Sequence, residues 1–212
     1  MATDDNPVAH LRDQIAFRWA DYDTPLWARR NTRAGRWNRA LDGSTQYWCL
    51  DPHGPWAELI RQEELSTEEE VSWVRQRLWV ARWNVANVAD MATFEKVERW
   101  GVNPDVLVDD DHRRCRDLAD RLRADGYAGV LCPSAALPDT TSLVVFGRRV
   151  DVPWEKFPRL ASRVPVAEFG RSTPPAGLLE RVRQRGDQHS ALVRYKRAKA
   201  RAAARVRKKK HP

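Results

Sequence analysis

The 212-residue chain contains no apolar run near the roughly 20 residues needed to cross a bilayer as a helix. Its first residues, MATDDNPVAHLRDQ, are acidic and polar and read as neither a signal peptide nor a transit peptide. It has three cysteines, Cys49, Cys115 and Cys132, and no C-x-x-C pair. An odd, sparse set of this kind fits a reducing cytoplasm, and the expected location is cytoplasmic. There is no G-x-x-x-x-G-K-[ST] and no G-x-G-x-x-G, so the standard phosphate loops are missing. The five histidines are scattered, without H-E-x-x-H or a Cys/His cluster, and no metal is expected. Without a G-x-S-x-G elbow, a histidine-based nucleophile triad has little to recommend it.

Tryptophan, by contrast, is abundant. Ten of them in a chain of this length are mostly structural, because a large aromatic is usually buried at least in part. Charge is unevenly placed. Residues 181–212 hold 13 Lys/Arg against one acid, Asp187, a net of +12. The whole chain carries +8, which leaves about −4 for residues 1–180. The basic character belongs to the tail, and the main body does not read as a nucleic-acid-binding domain.

Along the chain, Ile15–Trp19 alternates as a short strand, and Gln46–Leu50 reads as a second after the Asp42-Gly43 turn signal. A helix opens in DPHGPWAELIRQEEL, with Pro55 in its first turn and Trp56, Leu59 and Ile60 on one face. Residues 66–90 are ambiguous. STEEE opens a capping box, and Val71, Val74, Leu78, Ala81, Val85 and Val88 at steps of three and four suit a helix, while RLWVARWNV alternates like a strand. A helix is expected near 92–100, and another in DDDHRRCRDLADRLRADG, ended by Gly126. AGVLCPSAA and SLVVFG read as buried strands. The pattern is α+β, with a domain ending near residue 150. Residues 151–177, with five prolines, are expected as a wrap or linker, and 178–212 as a basic helical or disordered tail.

The residues left for chemistry are few, and each has a bland reading. Arg18 and Arg36 suit surface ion pairs. Tyr47 suits packing within its strand. Glu58 suits a helix N-terminus, where an acid is favoured. Ser134, after a proline, suits the start of a turn.

Taken together and in order, they resemble the RES domain family. Phe17-Arg18 stands where the family's first strand has Tyr-Arg. Gly35-Arg36-Trp37-Asn38 matches its G-R-W-N turn. Tyr47 follows Arg36 by eleven residues, and Glu58 follows Tyr47 by another eleven. GVLCPSAA, with Ser134, matches the strand running into Pro-Ser-Ala, and SLVVFG the closing strand. The resemblance covers residues 15–150 and makes Leu78–Val85 a strand. It departs at Ala34-Gly35, where the family often has two glycines, and in the long stretch between Glu58 and Ser134. It leaves the basic tail unexplained.

The resemblance implies an ADP-ribosyltransferase-like fold, a split mixed sheet around an NAD cleft. It implies a toxin of a toxin–antitoxin pair that destroys NAD by glycohydrolysis or phosphorolysis, or one that transfers ADP-ribose to a macromolecule. It also implies an Xre-like antitoxin as partner. The residue chemistry suits this. Arginine forks match pyrophosphate oxygens, which suits Arg18 and Arg36. A tyrosine face, Tyr47, stacks on a cationic nicotinamide. A carboxylate, Glu58, stabilises an oxocarbenium-like ribose. Ser134 can hold the nicotinamide amide or a ribose hydroxyl. On this reading Glu58, Arg36 and Tyr47 carry the chemistry, and Arg18, Arg36, Tyr47 and Ser134 bind NAD. Trp37 reads as the wedge of its turn and Asn38 as its brace. A reading of another class makes the chain a nucleic-acid-binding protein acting through residues 181–212, where an acidic partner is the plainer alternative.

Overall fold

The computed structural model describes residues 6–19, 31–41, 44–147 and 166–210. It is an α+β assembly of six strands and six helices among the described residues. The strands are β1 (Val8–Trp19), β2 (Ser44–Cys49), β3 (Gln76–Asp90), β4 (Gly129–Pro133), β5 (Thr141–Gly147) and β6 (Val166–Ser172). The helices are α1 (Gly54–Gln62), α2 (Glu68–Ser72), α3 (Phe94–Arg99), α4 (Asp105–Val108), α5 (Arg113–Ala124) and α6 (Ser190–Lys210).

The sheet is mixed, as expected, but it closes on itself, which corrects the expectation of a split sheet. β3 is 15 residues long and pairs along one edge with β1. Its other edge is shared, antiparallel to β6 in the first half and parallel to β4 at Val88–Asp90. β4 pairs with β5, β5 with β2, and β2 meets β1 through the single pair Phe17↔Cys49. That last pairing turns the sheet into a ring. β1, at 12 residues, is also more than twice the expected length. Register shifts around Leu11, with Asp13 at a φ of 49°, break the alternation that marks a strand in sequence.

Residues 66–90 divide between both patterns. Thr67 and Glu70 make the reciprocal capping box of the five-residue α2, and β3 begins at Gln76. Side chains of the ring strands then sort by face. Ala16, Trp48, Ala81, Val88, Leu131, Leu143 and Val145, drawn from all five ring strands, form one buried cluster. Ala89, Val130, Cys132 and Val144 face the other way and pack with Trp37, Met91, Leu107 and the Cys115–Leu118–Ala119–Leu122 face of α5.

The C-terminal residues share the core of the body, contrary to the division drawn at 150 and 177. β6 extends the sheet. Leu178 and Val182 are buried with Trp56, Ala57 and Ile60 of α1 and with Leu137. The first turns of α6 bury Leu192 against Phe94, Val108 and Ala135. A sequence reading sees a charged segment with few apolar residues, and here those few are the ones that dock. The Asp42-Gly43 turn and Pro153, Pro158 and Pro165 lie outside the described residues. Among the described residues no helix is long and apolar enough to cross a membrane, and no three His, Cys, Asp or Glu side chains group as metal ligands.

Candidate active site

A cleft of about 510 Å³ opens beside the ends of β1, β2 and β4. Arg18, Arg36, Tyr47 and Glu58 all line it. Four residues spread over 41 positions are thus brought to one wall set, and each arrives by a different device.

The G-R-W-N turn brings Arg36. Trp37 is 1% exposed and wedges into the core under α5. Asn38 is equally buried and donates Nδ2 to the carbonyls of Arg33 (2.9 Å) and Arg39 (3.0 Å). From α5, Arg123 donates to the Trp37 carbonyl at 2.7 Å. So held, Arg36 donates Nη1 to the carbonyls of Leu107 (3.1 Å) and Asp109 (2.7 Å), at the C-terminal end of α4. Its Nη2 is buried without a hydrogen-bond partner among the described residues. One prong of the guanidinium is therefore committed to backbone. The guanidinium is thereby held in place at the cleft wall with its other prong uncommitted.

Tyr47 stands in β2 with its hydroxyl turned to that same turn. The oxygen accepts from the Trp37 N–H at 2.9 Å and donates to Asn38 Oδ1 at 2.7 Å. The ring stays 36% exposed, which is high for a tyrosine whose hydroxyl is this well tied. Gly35 makes the arrangement sterically possible, since a Cβ there would lie 2.5 Å from the Tyr47 oxygen.

Glu58 sits on α1, which begins at Gly54 with proline in its first turn and buries Trp56, Ala57 and Ile60 on its inner side. That leaves Glu58 half-buried at the cleft. Burial raises its pKa above the ordinary carboxylate value, against the opposing pull of Arg36, Arg61 and the Ser134 hydroxyl. Arg61 lies three residues along the same helix, a spacing that puts the two on neighbouring surface. It is 7% exposed, bonded through Nη2 to Asp110, with its Nε lacking a partner among the described residues. Burial lowers the Arg61 pKa, which Glu58 resists.

Ser134 comes close without lining the cleft. It is 2% exposed, and its hydroxyl accepts from the Leu137 N–H at 3.1 Å while standing beside Glu58. Its contact in the structure is with the carboxylate. Arg18 is at the cleft with its guanidinium 5.9 Å from the Trp48 ring centre.

Sequence reading missed several contributors. His112 lines the cleft at the start of α5. Burial, with Arg36, Arg61 and Arg116 nearby, pushes its pKa down to about 4, so the ring is neutral at pH 7. Arg185, from the C-terminal stretch, also reaches the cleft. Behind the site, three successive carbonyls of the Pro-Ser-Ala turn meet that stretch. Ser134 O meets His189 Nε2 at 2.9 Å, Ala135 O accepts from Arg183 Nη1 at 3.5 Å, and Ala136 O accepts from the Arg183 N–H at 2.8 Å. Asp110 joins Arg61, Arg183 and the Gly186 N–H. The spacing of Arg61 from Glu58 was a usable signal. His112 and residues 183–189 had none, because their proximity is purely tertiary.

The chain is similar to known proteins in family pattern and in fold. A family model described as the RES domain matches residues 12–164. A chain of the crystal structure of the M. tuberculosis MbcT–MbcA toxin–antitoxin complex is similar in fold, with a TM-score of 0.58 at 18% identity, over 82% of this chain and 90% of that one. No curated protein matches the chain by sequence.

Proposed function

The chain belongs to the RES domain family, and we propose that it is the toxin of a toxin–antitoxin pair that acts by cleaving the nicotinamide–ribose bond of NAD. The observation that carries this reading is a half-buried carboxylate, Glu58, sharing one cleft with an exposed tyrosine face and several guanidinium groups. The cleft's volume falls in the range of small-molecule sites. The toxin assignment draws on the fold likeness to a chain of the MbcT–MbcA complex. From that likeness we also propose an antitoxin partner, of the Xre-like kind, that occupies the cleft.

In this mechanism the pyrophosphate lies against Arg18, and the fixed charge of Arg36 adds to the positive potential there. The cationic nicotinamide stacks on the Tyr47 ring, whose rigid hydroxyl bonds prevent it from turning. As the C1′–N bond breaks, its electron pair leaves with nicotinamide, which departs neutral and needs no general acid. The ribose is left oxocarbenium-like, and the Glu58 carboxylate stabilises it. Ser134 acts behind Glu58, holding the carboxylate's orientation. Neutral His112 adds a hydrogen-bonding group without adding positive charge beside the cationic ring.

The test is purified protein with NAD, with and without phosphate, and identification of products by mass spectrometry. ADP-ribose marks water as acceptor, and ADP-ribose 1″-phosphate marks phosphate. A protein or nucleic acid gaining ADP-ribose would assign the chain to the mono-ADP-ribosyltransferases. NAD left intact by folded, partner-free protein would overturn the proposal.

A further inference from the structure

The cations of α6 divide into a set paired with acids of the body and a set left exposed. Arg194 pairs with Asp139, Lys196 with Asp105 at 2.6 Å, and Lys199 with Glu98. These ties, with buried Leu192 and the stacking of Tyr195 on Phe94 (5.5 Å), fasten the first half of the helix to the body. Arg197, Arg201, Arg205 and Arg207 are exposed and take part in no ion pair among the described residues. Arg197, Arg201 and Arg205 recur every four residues, so they form a ridge along one side, on the face turned away from Leu192. The rise between them is about 6 Å. Residues 201–207 are all exposed, and Ala198, Ala200, Ala202, Ala203 and Ala204 keep that stretch slim.

We propose that this ridge is a docking surface for the phosphate backbone of duplex nucleic acid, bound without sequence preference. The composition selects against the other polyanion carriers. An acidic protein surface would seat against an apolar interface core, and the exposed half of α6 offers only Val206 and alanines. An anionic membrane would need an apolar helix face for insertion, which is equally lacking. Single strands would need aromatic platforms, and the helix's one aromatic, Tyr195, is turned to Phe94. A slim helix 10–12 Å across fits a major groove about 12 Å wide. The inference rests on charge placement alone and is independent of the NAD reading.

The experiment measures binding of the full chain to a fluorescent 20-base-pair DNA duplex by anisotropy, between 50 and 200 mM salt. Arg197→Gln/Arg201→Gln/Arg205→Gln is compared with wild type and with Lys199→Gln. Each phosphate contact contributes about −0.9 to the log–log salt slope, so the triple variant's slope should be shallower by about 2.7. Its affinity should fall about 40-fold less over that salt range than the wild type's. Lys199→Gln should change the slope much less, because that lysine faces Glu98. NAD consumption and melting temperature of the triple variant should match wild type, which keeps the fold out of question. An unchanged slope in the triple variant overturns the proposal. So does binding to poly-glutamate or to vesicles with phosphatidylserine that equals or exceeds binding to the duplex.

Discussion

The hydroxyl of Tyr47 donates to Oδ1 of Asn38 at 2.7 Å, and this bond holds a side of the tyrosine ring bare in the cleft. Asn38 is itself clamped by two backbone carbonyls, so strand and turn are locked together through one oxygen. Tyr47→Phe keeps the ring and strands both the Trp37 N–H and Asn38 Oδ1. A loss of about 1–3 kcal/mol is expected, read from thermal or denaturant melts. Gly35→Ala should be worse, because its Cβ would meet the Tyr47 oxygen at 2.5 Å and Asn38 Oδ1 at 2.6 Å and force both side chains out of their hydrogen bonds. If stacking is the ring's task, Tyr47→Ala should slow NAD loss far more than Tyr47→Phe does.

Glu58→Gln should reduce NAD consumption by about 10²–10³ while preserving the fold, since it removes charge and keeps shape. The same change should raise the melting temperature at pH 7. The Glu58 pKa is raised in the folded protein, first by burial. Its contribution to stability is therefore complete below the unfolded carboxylate pKa and is lost as pH rises through the folded value. At neutral pH the raised pKa makes ionisation of this carboxyl less favourable in the folded state than in the unfolded chain; glutamine removes that penalty, and the gain should vanish in acid. Melts of both proteins from pH 4 to 8 check this, and wild-type turnover in folded Glu58→Gln would remove Glu58 from the mechanism.

His112 should titrate near pH 4 in the folded protein, observed by NMR of its ring protons. A depressed histidine pKa means that stability is complete above the ordinary value of about 6.5 and is lost as pH falls toward 4. His112→Gln should flatten that loss. Arg36→Gln should move the His112 midpoint upward, since Arg36 is, after burial, the main cause of the shift.

Truncation should separate the two parts of the C-terminal region. A chain ending at residue 177 loses Leu178, Val182 and the Arg183–His189 contacts, and should melt far lower or fail to fold. A chain ending at residue 200 keeps Leu192 and the ties of Lys196 and Lys199, and should melt close to full length. Leu178→Ala alone should cost about 2–5 kcal/mol, as for other buried leucines. Equal melting of the 177-residue and full-length chains would mean that the C-terminal segment is not part of the core.

Much of the cleft was legible before any coordinates. Arg18, Arg36, Tyr47 and Glu58 sit in short motifs whose types and gaps are recognisable, and all four line it. Trp37 and Asn38 were read as wedge and brace, and their burial at 1% suits those tasks. Ser134 was placed near the right neighbours, but its burial and its contacts with Leu137 and Glu58 were not legible, because a sequence does not say which side of a turn its hydroxyl takes.

Local elements are a property of the chain itself. The Thr67–Glu70 capping box, the proline start of α1 and the apolar stripe of α5 depend on residues a few positions apart, and periodicity records them. Closure of the sheet, the neutrality of His112 and the grip of residues 183–189 on the Pro-Ser-Ala turn depend on groups many tens of residues apart. A pKa is set by burial and by charges within a few ångströms, and a backbone carbonyl accepts whichever donor folding delivers. Only the tertiary structure decided those neighbours. By the same rule, the sequence determined that α6 would be basic, and the fold decided which of its cations meet acids of the body and which face outward.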